Sequence, residues 1–219
     1  MKKYIKVLRK CPLFSDIGDA DLEKMLVCMG ARIIELDKKY TVLAEGSPAR
    51  YIGIVLSGSV QISRTDYYGN RSILSQASAG AIFGEAFACA ETGTLPVSVI
   101  AAEESIIMLV DASHILHTCA NNCAFHRQLI FNLMKELARK NISSFQKLDI
   151  TSKRTTREKL LAYLSVCATQ TGHGSFEIPF DRQELADYLE VERSGLSAEI
   201  GKLVREGVIS TQKKHFELL

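Results

Sequence analysis

The sequence predicts an α+β protein built from an N-terminal antiparallel, jelly-roll-like β-roll, a long dimerisation helix and a C-terminal winged helix-turn-helix. Three patterns predict it. Between Ile33 and Val110, short β-rich runs are punctuated by Gly46, Gly53, Gly58, Gly69, Gly80 and Gly84, the spacing of an antiparallel roll or barrel. From Asn121 to about Lys147, apolar residues recur at helical intervals. Asp181 to Gly207, DRQELADYLEVERSGLSAEIGKLVREG, then spells two short helices separated by one tight turn.

In chain order, Pro12 to about Arg32 carries Leu13, Phe14, Ile17, Leu22, Met25, Leu26 and Met29 at helical spacing, with Ser15 to Asp21 offering caps, so short helices open the chain. Ile52 to Ser63 and Ser72 to Ser75 read as central strands of the roll. Around Ser113 the pattern turns helical again, and a single helix from Asn121 to Lys147 would be roughly 40 Å long at the standard rise. Phe125, Leu129, Ile130, Leu133, Met134, Leu137 and Ile142 cover more than one narrow stripe of it, although no sustained heptad is evident. One side can pack on the roll while the other meets an identical helix, which predicts a homodimer; burial within one subunit is the alternative. The division expected is 1–120 for the roll with its leading helices, 121–150 for the long helix and hinge, and 151–219 for the C-terminal domain.

In that domain Asp181 is placed to cap the first short helix, with Glu184 three residues on to complete a capping box and Leu185, Ala186 and Leu189 on the apolar face. Glu190-Val191-Glu192 makes the turn. The second helix begins near Arg193-Ser194, keeps Leu196, Ile200, Leu203 and Val204 inward, and stops at Gly207. Arg193, Ser194 and Ser197 are left facing outward on its first turns. In a helix-turn-helix that end of the second helix enters the major groove, so these side chains are placed to reach base edges. Arg193 is the first candidate, with Arg182, Gln183 and Lys202 on phosphates. An ordinary helical hairpin is the alternative reading of the same spacing. Beyond Gly207, Val208 to Thr211 and His215 to Leu218 read as two strands around Gln212-Lys213-Lys214, whose basic tip suits a phosphate-contacting wing or a solvated turn.

Composition narrows the function classes. The 219 residues, 47 % hydrophobic, can bury one large core or two smaller ones, and Lys and Arg (27) nearly balance Asp and Glu (25). From Thr151 onward ten basic residues face ten acidic ones, so any basic surface must arise by segregation into Lys153, Arg154, Arg157 and Lys159, then Arg193, Lys202 and Arg205, then Lys213 and Lys214. A protein that docks another protein through the same helices is the competing class. No apolar run is long enough to span a membrane, and MKKYIKVLRKCPLF lacks the apolar stretch and cleavage site of a secretion signal, so a soluble cytoplasmic protein without membrane contact is expected. A roll of this kind can also house a cupin-type metal enzyme. Its five histidines, His114, His117, His126, His173 and His215, all lie beyond the roll, and no phosphate loop or nucleophile motif occurs, so neither a metal site nor an enzyme is expected. Cys11, Cys28, Cys89, Cys119, Cys123 and Cys167 show no metal-ribbon spacing and read mostly as buried small residues.

In the roll, AEGSPARYIGIVLSGSVQIS followed by YYGNRSILSQASAGAIFGE resembles the sensor domain of the Crp/Fnr family of bacterial transcription regulators. RQELADYLEVERSGLSAEIGKLVREGVI is similar to that family's helix-turn-helix, and KRTTREKLLAYL to the segment leading into it. The resemblance spans nearly the whole chain. It implies a dimeric regulator that binds double-stranded DNA at an inverted repeat, works with RNA polymerase, and relays a signal sensed in the roll through the long helix. In the cyclic-nucleotide-binding members, the pair matching Gly84-Glu85 is followed about ten residues later by an Arg-Ser pair that takes the phosphate. Here that place holds Leu95-Pro96. A phosphate without a cation loses its charge-assisted bonds, and proline lacks a backbone donor, so the effector expected of a pocket at Gly84, Glu85, Leu95 and Pro96 is not cyclic AMP. Glu85 as a turn-capping carboxylate is the alternative. Best-known members also carry a guanine-reading arginine where this chain has Ala198, so a different operator is expected.

The remaining sensor chemistries of the family find less here. Its iron-sulfur branch needs a tight N-terminal cysteine cluster, and only Cys11 precedes Cys28. His114, His117 and His126 are available as haem ligands but stand isolated, as capping or surface residues do. No cofactor is therefore predicted. Cys119 and Cys123, four residues apart on one helix face, can respond together to oxidation or simply pack.

Overall fold

The computed structural model describes residues 2–116 and 124–219. They form two compact units, Met1–Asn70 with Leu74–Asn141, and Arg71–Ile73 with Ile142–Leu219. The first opens with a 3₁₀ turn, Lys2–Tyr4, the short helix α1 (Ile5–Leu8), a second 3₁₀ turn at Pro12–Phe14, and α2 (Asp19–Cys28). Pro12 takes the first position of its turn, where its missing N–H is not needed. Despite the polar residues around it, α2 starts at Gly18 with no side-chain cap; Asp19 instead accepts from Arg9 Nε at 2.9 Å.

Strands β1 (Arg32–Leu36), β2 (Thr41–Leu43), β3 (Tyr51–Ser57), β4 (Ser59–Thr65), β5 (Arg71–Ser78), β6 (Ile82–Phe83), β7 (Ser98–Ala101) and β8 (Ser105–Asp111) make the roll, with α3 (Glu85–Cys89) between β6 and β7. They lie in two four-stranded sheets ordered β1-β8-β3-β6 and β2-β7-β4-β5. The stretch expected as central at Ser72 to Ser75 belongs to β5, which ends its sheet. Its Leu74 and Ser75 are exposed, as edge positions allow.

β3 reads as an uninterrupted apolar run because both of its faces are buried. Val55, with Phe83, Val99 and Ile107, fills the interior between the sheets. Ile52, Ile54 and Leu56, with Met108 and Val110 of β8, face a second core made with Leu8, Leu13, Leu22 and Leu26. Gly53 is paired with Phe83 across β3 and β6, and a Cβ there would lie 2.0 Å from the Phe83 ring. Only glycine lets that ring lie against the strand.

After α4 (Ser113–Leu116), the long helix α5 runs Ala124–Thr151, four residues past the expected end. Its start as read from sequence, at Asn121, lies outside the described residues. Leu129 and Leu133 join the helical core of the first unit, and Asn132, 2 % exposed, donates to the carbonyls of Leu13 (3.1 Å) and Ser15 (2.7 Å). A different set faces out: Phe131, Met134, Ile142, Phe145 and Leu148 are 46 % to 66 % exposed. With Ala138 and Asn141, also exposed, Phe131, Met134, Phe145 and Leu148 alternate by three and four residues. That is the spacing of a coiled-coil stripe, which the sequence pattern hid beneath the leucines of the buried face.

In the second unit α6 (Thr156–Thr171), β9 (Ser175–Glu177), α7 (Arg182–Leu189), α8 (Arg193–Arg205), β10 (Ile209–Gln212) and β11 (His215–Leu218) enclose a core of Leu160, Leu164, Leu185, Leu189, Leu196, Leu203, Ile209 and Phe216. The hairpin read from sequence is present, β10 pairing antiparallel with β11, and β9, which the sequence did not signal, adds a third strand to give the order β10-β11-β9. β9, SFE, buries only Phe176, too short a pattern to signal a strand. Val204, expected inward, is 43 % exposed.

Two glycine substitutions separate packing from backbone strain. Gly53→Ala forces the buried Phe83 ring aside and should lower stability to urea by about 2 kcal/mol. Gly46→Ala meets open space at φ +80° and should lose only about 1 kcal/mol, from the left-handed backbone alone.

Candidate nucleic-acid interface and effector turn

The two helices of the reading unit begin differently. At α7, the Asp181 carboxylate accepts from the Glu184 N–H at 2.9 Å while the Glu184 carboxylate accepts from the Asp181 N–H at 2.8 Å, the capping box expected. α6 begins with the same device at Thr155 and Glu158. α8 has none: Glu192 makes no side-chain cap bond and the first turn holds no acid. Its free N–H groups and the positive end of its dipole therefore point outward beside Arg193. Glu190, which ends α7 at φ +55°, makes the sharp turn between the helices in a left-handed conformation.

Arg193, Ser194, Ser197 and Ala198 are all exposed on α8, and among the described residues no side-chain hydrogen bond or ion pair engages the first three. The other expected contacts are held differently. Arg182 is partly buried, stacked 5.1 Å from the Phe216 ring centre and 3.4 Å from Thr211 Oγ1, and burial pulls its guanidinium below the ordinary value. Gln183 donates to Asp187 at 2.8 Å, Lys202 lies 3.5 Å from Glu199, and Lys214 donates to the Pro179 carbonyl at 2.7 Å. Lys213 is exposed at the wing tip with φ +56°.

Several other basic residues serve the fold. Arg157 reaches Glu206 at 2.6 Å and Glu199 at 3.4 Å, joining α6 to α8. Its hydrogen bond holds the Glu206 carboxyl below the usual carboxylate range. Lys159 donates to the carbonyls of Leu189 and Glu190 at 3.3 Å each, fastening the turn before α8. Ten cations against ten acids thus leave a short outward set headed by Arg193.

In the roll, Gly84 sits at φ +79°, where a Cβ would meet the Tyr51 carbonyl oxygen at 2.9 Å. Glu85 follows, 3 % exposed, with Oε1 2.9 Å from Lys140 Nζ on α5. The same ammonium donates to the Ile82 carbonyl at 2.7 Å. Leu95 is buried in the interior of the roll and Pro96 is exposed, and neither offers a polar side chain. A cavity of about 410 Å³ opens elsewhere, along Ala49, Arg50, Ala88, Gly93, Asp111 and Ser113, where Arg50 is already bound to Asp111 at 2.5 Å.

Of the cysteines described, only Cys11 is buried; Cys28 is exposed and Cys89 and Cys167 are intermediate, which corrects the expectation of mostly buried thiols. Burial pushes Cys11 up to about 12 and raises Cys89 and Cys167, so these three are poor thiolates. Cys119, Cys123 and His117 lie outside the described residues. His126 is buried rather than at the surface, and His114 is exposed. No group of three or more potential metal ligands occurs among the described residues. Nor is any described helix long and apolar enough to cross a membrane.

Residues 33–122 match the cyclic nucleotide-binding domain family, and residues 158–219 match the Crp-like helix-turn-helix domain. The chain belongs to the Crp/Fnr family of transcription regulators. Its fold is that of FixK2 from Bradyrhizobium japonicum (TM-score 0.68, 19 % identity, 86 % of this chain and 92 % of that one). It is also that of the c-di-GMP responsive global regulator CLP of Xanthomonas campestris (0.75, 16 %, 91 % and 99 %). The catabolite activator protein of Thermus thermophilus is a further likeness (0.54, 23 %, 95 % and 93 %). A comparison with curated proteins finds no match.

Within this Crp/Fnr chain, two contacts beside the candidate sites escaped the sequence reading. Lys140 was legible in outline: it lies eleven residues after Leu129 and seven after Leu133, on the face that packs into the first unit. Arg157 looked like one cation of a surface cluster, since its two acids are 42 and 49 residues away.

The reading unit should respond in opposite directions to two cap changes. Asp181→Ala removes a capping box and should cost about 1 kcal/mol. Glu190→Gly relieves the left-handed turn and should add about 1 kcal/mol, both read as shifts in the thermal melting of the full-length protein followed by far-ultraviolet circular dichroism.

Proposed function

We propose that the chain is a homodimeric regulator that binds an inverted repeat through α8, with Arg193 reading a base. The observation that carries this is the uncapped start of α8, where Arg193, Ser194 and Ser197 stand exposed in a domain of the Crp-like helix-turn-helix family. A cation at the positive end of a helix is unfavourable alone and becomes favourable beside an acceptor such as guanine O6 and N7 or a phosphate. Ala198 offers at most a methyl contact to thymine, so guanine recognition falls to Arg193. Lys213, with Arg182, Gln183, Lys202 and Lys214, supplies or supports the phosphate side.

The exposed α5 seam supports pairing with a second copy, since Phe131, Met134, Phe145 and Leu148 form an apolar stripe that water alone covers poorly. The functional division we propose is 1–120, 121–150 and 151–219, for sensing, pairing and DNA reading. The Leu95-Pro96 pair supports a signal other than cyclic AMP, sensed in the roll or by Cys119 and Cys123. Such a regulator works in the cytoplasm, with RNA polymerase as its partner.

Selection from a random duplex pool tests the reading: an enriched inverted repeat with half-sites about 34 Å apart is expected, and an unenriched pool would refute it. On the recovered site, Arg193→Ala should lose about 1 to 3 kcal/mol and relax the preference at one base pair; equal weakening on every sequence would make it a phosphate contact. Phe145→Asp should shift the protein from dimer to monomer in analytical ultracentrifugation and reduce DNA affinity with it. Replacing Cys119 and Cys123 together by alanine should leave DNA binding intact and abolish any response to oxidant.

A further inference from the structure

We propose that Lys140 is a built-in occupant of the effector turn, tying α5 to the roll as a bound ligand otherwise would, so that DNA binding by this regulator needs no cyclic nucleotide. The inference rests on the regulator reading above. A carboxylate as deeply buried as Glu85 requires a cation or a set of donors. Lys140 is that cation, 2.9 Å from Oε1, and among the described residues Oε2 has no hydrogen-bond partner. The same ammonium reaches the Ile82 carbonyl, so one side chain holds two points of the turn between β6 and α3.

The turn has little room to yield. Gly84 is left-handed and lies against the Tyr51 carbonyl, and Leu95 is packed into the interior with its N–H bonded to the Ser47 carbonyl at 2.9 Å. A ligand anion placed here would meet Glu85 with no cation at Leu95-Pro96 to receive it. The ammonium that does reach the turn, that of Lys140, is already paired. To take Lys140 for itself, such a ligand would have to strand a buried carboxylate, which is strongly unfavourable.

The placement on α5 points the same way. Leu129, Leu133, Glu136 and Lys140 recur at four, three and four residues on the face that packs inward, so two charged residues continue an apolar stripe. A lysine at that register projects at the roll, where it meets Glu85 and the Ile82 carbonyl.

The test uses the full-length protein and compares wild type, Lys140→Met, and the charge-neutral pair Glu85→Gln with Lys140→Met. Wild type should bind its selected duplex without added nucleotide, and millimolar cyclic AMP or cyclic di-GMP should neither change that affinity nor give a heat of binding. Lys140→Met should melt lower, and adding Glu85→Gln should restore the melting temperature, because the stranded carboxylate is gone. The restored double variant should nevertheless bind the duplex roughly tenfold more weakly. A nucleotide requirement in wild type, wild-type DNA affinity in the double variant, or no rescue of melting by Glu85→Gln would each overturn the inference. A wild-type protein with normal Glu85–Lys140 thermal coupling that ignores every duplex would overturn the regulator reading itself.

Discussion

The β3–β8 pair of the roll is buried on both sides, and the rest of the first unit is arranged around that constraint. One face supplies Val55 and Ile107 to the interior between the sheets, and the other supplies Ile52, Ile54, Met108 and Val110 to the helical layer. A sheet buried on both faces needs helices to cover it, which α1, α2 and the first turns of α5 do. Asn132 fixes α5 there by bonding two carbonyls of the N-terminal segment. The price of close packing is local: Gly53 can be nothing larger while Phe83 lies on it.

Covering the roll uses only one face of α5. The other carries a regular seam of exposed apolar residues, and the two faces are interleaved in the sequence because 3.6 residues per turn lets leucines for one side fall between phenylalanines for the other. The same helix carries Lys140 on its packed face, where an ammonium reaches a buried carboxylate and a turn carbonyl together. Charge is used sparingly and locally throughout. In the second unit most cations close the fold, Arg157 between α6 and α8 and Lys159 across the turn before α8. What is left outward at the start of α8 is a single arginine with small polar neighbours. A nearly neutral domain can then still read DNA, through placement rather than total charge.

Much of the fold was legible because its signals are local. A capping box needs residues three apart, and the one at Asp181 and Glu184 lies where sequence placed it, as do the starts of α7 and α8. Strand and glycine alternation marked the roll. The misreadings share a cause. Ser72 to Ser75 looks central because its composition is strand-like, and only strand order makes β5 an edge. β9 is three residues with one buried side chain, too short for any periodic signal. Val204 keeps helical spacing with Leu196 and Ile200 yet is exposed, since the core of a small domain does not extend beneath every position of the stripe.

Sequence by itself therefore determined the order of the main elements, the family, and the side chains that face outward on the first turns of α8, because each depends on neighbours within one or two helical turns. Tertiary structure alone decided which cations are spent on the fold, which face of α5 is left uncovered, and which residue answers Glu85. These depend on contacts such as Lys140 with Ile82 and Glu85, more than fifty residues apart in the chain. No spacing rule reaches that far, and packing makes the choice.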